Sequence, residues 1–117
     1  MGRALRQNYY MTDWLTVPDL VELLSLSPSR VRRLMEERVL PATRRDGVLV
    51  VPAEFLSGGE PIAEIRGTAV VLADAGFRDE EIVDWLLTVE PSIGTTPIEA
   101  IRAGRKTLVR RVAQSLG

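Results

Sequence analysis

The arginines of residues 28–38 have the types and the spacing of a binding surface. On a helix that turns 100° per residue, Arg32 and Arg33 lie opposite the apolar positions, and Arg30 lies at their flank. A guanidinium group can form paired hydrogen bonds with phosphate, or with the O6 and N7 atoms of guanine in a major groove. This spacing therefore indicates recognition of double-stranded DNA.

Two helices and a sharp turn are needed to present these arginines. Ser27 followed by Pro28 is typical of an N-cap and a first helical position, so we expect a recognition helix over 28–38. A preceding helix begins near Thr16, and its apolar stripe is Leu20, Leu23 and Leu24. The connection 25–27 is too short for anything but a sharp turn. The pattern predicts a helix-turn-helix.

A hairpin follows the second helix. Asp46 and Gly47 form a tight-turn dipeptide between β-branched segments, which predicts a two-stranded wing over 42–51. Arg44 and Arg45 stand beside its tip, where a wing meets the phosphate backbone. The predicted fold is mainly α with a small β-hairpin wing, a winged helix-turn-helix followed by a small helical carboxy-terminal module.

Each predicted DNA-binding residue has an expected role. Contacts to base edges are assigned to Ser29, Arg32 and Arg33; contacts to flanking phosphate to Ser27 and Arg30; and contacts of the wing to Thr43, Arg44 and Arg45. A plainer interpretation is that Arg32 and Arg33 form solvated i,i+4 pairs with Glu36 and Glu37. The coincidence of a capped helix, a three-residue turn and an arginine-bearing hairpin favours DNA binding.

Composition limits the chemistry of the chain. There is no cysteine and no histidine, which removes disulfides, thiolates, the usual zinc ligands and the commonest general base. We therefore expect a protein that is not an enzyme and that has no cofactor or metal. No apolar run has the length of a membrane helix, and the amino terminus lacks the pattern of a secretory signal, which predicts no membrane association and a cytoplasmic protein.

The formal net charge of −1 conceals three blocks of different sign. Residues 28–47 hold six arginines and three acids, residues 60–90 hold two basic and eight acidic residues, and residues 99–117 hold five basic residues and one acid. The acidic block is expected to face away from nucleic acid, because phosphates would repel it.

Three segments are predicted along the chain. Residues 1–13 form a tail without periodicity, 14–57 the winged helix-turn-helix, and 60–117 a helical domain for dimerisation or partner binding. Ser57, Gly58 and Gly59 are expected to be a flexible link. Farther on, Asp79 is predicted to cap one helix, and Thr96 with Glu99 to form the capping box of another.

The order of these motifs resembles known families. The helix-turn-helix with its hairpin resembles the MerR and excisionase group. Together with AGFRDEEIVDWLLTVEPSIGTTPIEAI, it resembles a small actinobacterial DNA-binding family whose mycobacterial member is a substrate of a membrane-bound serine/threonine kinase. The resemblance covers roughly residues 14–116. It implies DNA as a partner, and a Ser/Thr kinase as a further one. The regulated threonine of that family has no motif match here, so no phosphosite is assigned.

The carboxy-terminal part is also similar to small helical domains of partition and antitoxin proteins. The shared positions are Trp85, Leu86, Ile93, Gly94, Pro97, Ile98 and Glu99. Residues of these types at this spacing are more often core, turn and helix-start positions. The sequence thus predicts a transcriptional regulator or nucleoid-associated factor, with homodimerisation through the carboxy-terminal helices. The alternative is an antitoxin-like or other protein-interaction module.

Overall fold

A computed structural model describes residues 13–117, which form six α-helices, a three-stranded antiparallel sheet and a two-stranded one. The order begins with β1 (Trp14–Thr16), α1 (Val17–Leu24), α2 (Pro28–Glu36), β2 (Thr43–Arg45) and β3 (Val48–Pro52). A 3-10 turn (Ala53–Phe55) leads to β4 (Leu56–Ser57) and β5 (Glu60–Pro61). The helices α3 (Ile65–Asp74), α4 (Asp79–Leu87), α5 (Pro97–Arg102) and α6 (Lys106–Gln114) follow. The predicted fold class is confirmed.

The three-stranded sheet has the order β1-β3-β2, with β3 in the centre. Both neighbours are antiparallel to β3, in a register that pairs Leu15 with Val51 and Arg45 with Val48. Asp46 and Gly47 have φ angles of 53° and 79°, as a two-residue turn with both centres in the left-handed region requires. The predicted wing is therefore a hairpin whose strand β3 is held on its other side by β1.

Side-chain caps fix the starts of α1 and α2. Thr16 accepts a hydrogen bond from the amide of Asp19 (3.3 Å), and the Asp19 carboxylate accepts one from the amide of Thr16 (2.9 Å). Ser27 Oγ accepts from the amide of Arg30 (3.3 Å), as the Ser-Pro signal predicts. Leu23 is 50% exposed, so its predicted place in the apolar stripe of α1 is wrong. Val21 packs against the core instead.

The recognition helix is shorter than predicted. It ends at Glu36, Glu37 is its C-cap, and Arg38 has a φ angle of 62°. The guanidinium of Arg38 then pairs with Asp79 at 3.3 Å. Arg38 therefore leaves the helix and holds its carboxyl end against the start of α4.

The predicted flexible link is a second tight hairpin. Leu56 pairs with Pro61 and Ser57 with Glu60, and Gly58 and Gly59 form the turn with φ angles of 61° and 79°. Arg102 Nη1 donates to the carbonyl oxygens of Glu54 (2.9 Å) and Leu56 (2.8 Å), which ties α5 to this region. The link between the two parts is therefore a turn between two paired strands, and its flexibility stays a prediction.

Two predicted caps of the carboxy-terminal helices differ in detail. Arg78, not Asp79, is the N-cap of α4, and the Glu81 carboxylate accepts from the Arg78 amide at 2.8 Å. Thr96 caps α5 by accepting from the amide of Glu99 (3.2 Å), as predicted. The Glu99 carboxylate also accepts a hydrogen bond from the Thr95 hydroxyl, a contact that the capping-box pattern does not predict.

A single hydrophobic core joins the two parts of the chain. Its fully buried members include Leu20, Val31 and Phe55 from the first part and Ile65, Leu72, Ile98 and Val109 from the second. The helix α6 packs mainly on α3, and α4 packs against both α5 and strand β2. Within residues 13–117, no helix is long and apolar enough to cross a membrane.

Candidate nucleic-acid interface

The exposed face of α2 carries the predicted base-contacting residues. Val31 is fully buried and Met35 is 8% exposed, which fixes the rotation of the helix about its axis. Ser29, Arg32 and Arg33 are all exposed as a consequence. The rotation predicted from the apolar pattern is therefore the one observed.

Two depressions divide this face. Ser29, Arg30 and Arg33 share a depression of about 450 Å³ that is also lined by Leu26, Leu34 and Glu37. Arg32 lies on the other side, in a depression between Pro28 and the first turns of α1. Arg33 and Arg32 therefore extend toward opposite flanks of the helix, and only Arg33 lies together with Arg30.

Within the described residues, the arginines of α2 form no ion pairs with the acidic residues of the same helix. Neither Arg32 with Glu36 nor Arg33 with Glu37 forms a pair within 4 Å in the described part of the chain. The plainer interpretation, in which these charges merely pair on the helix surface, lacks the contacts that it requires. The guanidinium groups remain available to a ligand.

Ser27 has a structural role beside its predicted binding role. Its hydroxyl oxygen caps α2 and lies 3.3 Å from Ser29 Oγ. A capping oxygen can still donate its own proton to a phosphate. The amides of Arg30 and Val31 are bonded to Ser27, and Pro28 has no N–H. The Ser29 amide and this hydroxyl are therefore the groups at the helix start that favour negative charge.

The two arginines of the wing do not form one patch. Successive residues of a strand point to opposite faces, so Arg44 and Arg45 diverge, and Thr43 shares the face of Arg45. Arg44 Nη1 donates to the carbonyl of Gly47 (3.2 Å), which folds it onto the turn. The guanidinium of Arg45 lies over the ring of Trp14, 4.5 Å from its centroid. Stacking leaves the N–H edges of Arg45 open to phosphate.

Three contacts around this surface cannot be predicted from local sequence patterns. Trp14 lies under Arg45, Arg38 pairs with Asp79, and Arg66 Nε donates to the carbonyl of Glu37 at 3.1 Å. Each joins residues 29 or more positions apart, so only the packing of the elements creates them.

The acidic start of α4 lies beside the carboxyl end of α2. Asp79 contacts Arg38, and Glu80 and Glu81 surround Arg78 at 3.9 Å and 3.4 Å. The hydrogen bond from the Arg78 amide lowers the pKa of Glu81, which stays ionised. These acids stay away from the phosphates, as expected, only if DNA contacts the first two turns of α2 and not its carboxyl end.

Comparison with known proteins identifies the family. Residues 10–56 match a family model described as "DNA-binding protein Rv2175c, wHTH domain", and residues 62–117 match "Rv2175c C-terminal domain of unknown function". The DNA-binding protein Rv2175c of Mycobacterium tuberculosis (strain ATCC 25618 / H37Rv) is 33% identical over 113 residues, which cover 86% of this chain and 77% of that protein.

The fold is shared as well. The NMR structure of Rv2175c superposes with a TM-score of 0.81 at 30% identity, over 90% of this chain and 81% of the other. The sequence matches and the shared fold lead to one conclusion: the chain belongs to the family of the DNA-binding protein Rv2175c.

Proposed function

We propose that this chain binds double-stranded DNA, with α2 in the major groove and the β2–β3 hairpin on the phosphate backbone. The observation that carries the proposal is the exposed face of α2, which begins at a Ser27-capped helix start and whose Arg30, Arg32 and Arg33 form no ion pair within residues 13–117. Ser29, Arg32 and Arg33 would meet base edges, and Ser27 and Arg30 the flanking phosphates. Thr43 and Arg45 would follow the backbone on one side of the wing.

Salt dependence of binding tests this proposal. Fluorescence anisotropy would follow a labelled duplex of about 25 base pairs, roughly 85 Å long, at several salt concentrations. With about four to six phosphate contacts, log K is expected to fall against log salt with a slope near −4 to −5. The double variant Arg32→Ala/Arg33→Ala should flatten the slope. A folded protein without affinity at low salt would refute DNA binding.

The biological role that we propose is transcriptional regulation from a cytoplasmic, nucleoid-associated location, without enzymatic activity. Selection of duplexes from a random pool separates two versions of this role. Enrichment of one sequence would identify an operator-reading regulator, because side chains on base edges discriminate by about 1–3 kcal/mol per pair. Binding without enrichment would identify a general nucleoid factor.

Homodimerisation is a second part of the proposal. The carboxy-terminal half exposes Val89 (62%) and Leu116 (44%), and a depression of about 470 Å³ is lined by Phe77, Trp85 and neighbouring residues. These apolar features also favour the alternative of a protein-interaction module. Sedimentation velocity over a wide concentration range would show dimers. A strict monomer, free and on DNA, would eliminate the dimer.

Family resemblance adds a Ser/Thr kinase to the proposed partners. The predicted tail 1–13 lies almost wholly outside the described residues. Incubation with a Ser/Thr kinase and ATP, followed by mass spectrometry, would locate any phosphate on the chain.

A further inference from the structure

The outer face of α6 bears only positive charge. Lys106, Arg110 and Arg111 lie on it with Thr107 and Gln114, and together they line a depression of about 330 Å³. All five side chains are exposed. From residue 103 to the end, the chain contains four basic residues and no acidic one.

Neither helix stability nor ion pairing accounts for this charge. Lys106 occupies the first turn of α6, where the helix dipole opposes a cation, although Arg111 in the last turn is favourably placed. None of Lys106, Arg110 and Arg111 has a carboxylate within 4 Å in the described part of the chain. Glu60 and Glu64 line a neighbouring depression with Lys106 and offset part of its charge. Arg110 and Arg111 are therefore the stronger anion-binding groups.

The basic face is connected to the recognition helix through α3. An ideal Cβ placed on Gly67 would lie 1.9 Å from Arg110 Nη2, so the Arg110 guanidinium rests directly on α3. The neighbouring residue, Arg66, is exposed and donates from Nε to the carbonyl of Glu37, the C-cap of α2. Arg66 thus bridges the end of α2 and the start of the basic face.

The first turn of α3 contacts both surfaces, through Arg66 and Gly67. Arg30, Arg33 and Glu37 share one depression of α2, and Arg66 and Arg110 continue from Glu37. At a rise of 1.5 Å per residue, Arg30 stands about 10 Å from Glu37 along α2. The exposed carboxylate of Glu37 interrupts this row of positive charges, with Arg33 on one side of it and Arg66 on the other.

We propose that Arg110 and Arg111, with Lys106 and Arg66, form a second phosphate-binding surface for the same DNA duplex that α2 reads. The inference rests on the proposed function and deepens it. Phosphates follow one another every 3.4 Å of axis along each strand, so a stripe that runs on from α2 meets backbone beyond the major-groove site. The carboxy-terminal part would then add affinity without sequence preference.

DNA fits this surface better than an anionic membrane does. A helix that lies in a membrane surface inserts an apolar face beside its cations. The apolar face of α6 is already buried in the core through Val109 and Ala113, both 0% exposed. Only the charged face is available, and α3 links it to α2 through Arg66 and Gly67.

The experiment measures the salt slope of duplex binding for Arg110→Gln/Arg111→Gln, with the duplex of about 25 base pairs used above. Each lost phosphate contact flattens the slope by about one unit, so the expected change is about two. The charge-retaining variant Arg110→Lys/Arg111→Lys should restore the slope. Arg78→Glu, beside the acids of α4, changes the net charge by the same two units and serves as the control for net charge.

The outcomes separate this inference from the proposed function. If the native protein binds and Arg32→Ala/Arg33→Ala flattens the slope, but Arg110→Gln/Arg111→Gln does not, the second surface is refuted and the recognition helix stands. If the native protein does not bind any duplex, both are refuted. Thermal melting identifies an unfolded variant, in which case Lys106→Gln/Arg111→Gln takes its place. Binding to phosphatidylglycerol vesicles that is lost in these variants, with the duplex slope unchanged, would assign the face to lipid.

Discussion

Arg33 and Arg45 stand in different environments, and their environments predict different effects on binding. Arg33 lies open on α2 beside Ser29 and Arg30, where a bidentate contact to guanine is available to it. Its replacement by alanine should weaken binding by about 1–3 kcal/mol and broaden the base preference. Competition anisotropy with a panel of duplexes measures both effects.

Arg45 is held over Trp14 at the edge of the wing and is expected to meet phosphate. Arg45→Ala should weaken binding to every duplex alike and flatten the salt slope by about one unit. The same panel serves for comparison with Arg33→Ala. If both variants changed all duplexes equally, the separate roles assigned to α2 and the wing would be wrong.

Gly67 is a helical glycine whose neighbour is only the end of a long side chain. A Cβ at this position meets the Arg110 guanidinium, which can move away at little cost. Gly67→Ala should therefore leave the free energy of unfolding unchanged or raise it by up to about 1 kcal/mol, since glycine disfavours helix. Urea denaturation is the measurement. A clear loss of stability would mean that the packing of Arg110 on α3 is part of the fold.

Among the elements, α2 and the wing follow local signals, in which a cap and a turn are encoded in adjacent residues. Ser27 with Pro28 starts α2, and Asp46 with Gly47 turns the wing, as predicted from the sequence. The hairpin at Gly58 and Gly59 was not predicted, because its strands have two residues each and show no alternation. The candidate site follows the same rule: the exposed face of α2 is predictable from its apolar pattern, and the contacts of Arg38, Arg66 and Trp14 are not.

The start of α5 has an ionisable group in its cap. Hydrogen bonds lower the pKa of Glu99 below its ordinary value; the bond from the Thr95 hydroxyl has the largest effect, and the bonds with Thr96 have smaller ones. A lowered folded-state pKa gives stability that is present above the unfolded pKa of about 4.3 and is lost as the pH falls through the folded value.

Glu99→Gln should therefore reduce the dependence of stability on pH. Between pH 7 and pH 3, the native protein is expected to lose more free energy of unfolding than the variant does. The difference should be roughly a few tenths of a kcal/mol, because the exposed carboxylate is screened by solvent. Urea titrations at the two pH values measure it. Equal losses of free energy of unfolding in the native protein and the variant would show that Glu99 does not contribute to the pH dependence of stability.

For the whole molecule, the shared core predicts cooperative unfolding. Phe55 from the first part and Ile65 from the second are both fully buried in one cluster, and Arg102 ties α5 to the carbonyls of Glu54 and Leu56. Neither part can lose its structure without exposing apolar surface of the other. A single transition is therefore expected.

The two tryptophans provide the test, because one lies in each part of the chain. In Trp85→Phe, fluorescence reports on Trp14, and in Trp14→Phe it reports on Trp85. Each substitution shifts stability in its own way, so circular dichroism of the same sample is the reference for each variant. Fluorescence and dichroism midpoints should coincide in both. Separate midpoints would show that the two parts fold independently.

If α2 and the wing form the surface that meets DNA, an NMR titration will locate that surface residue by residue. Uniformly 15N-labelled protein would be titrated with a duplex of about 25 base pairs at low salt, at which phosphate contacts are strongest. The largest amide shifts are expected in residues 27–33 and 43–48, with the amides of α4 little changed. Saturable binding that left residues 27–33 and 43–48 unshifted and perturbed α4 and α5 instead would show that DNA meets another surface.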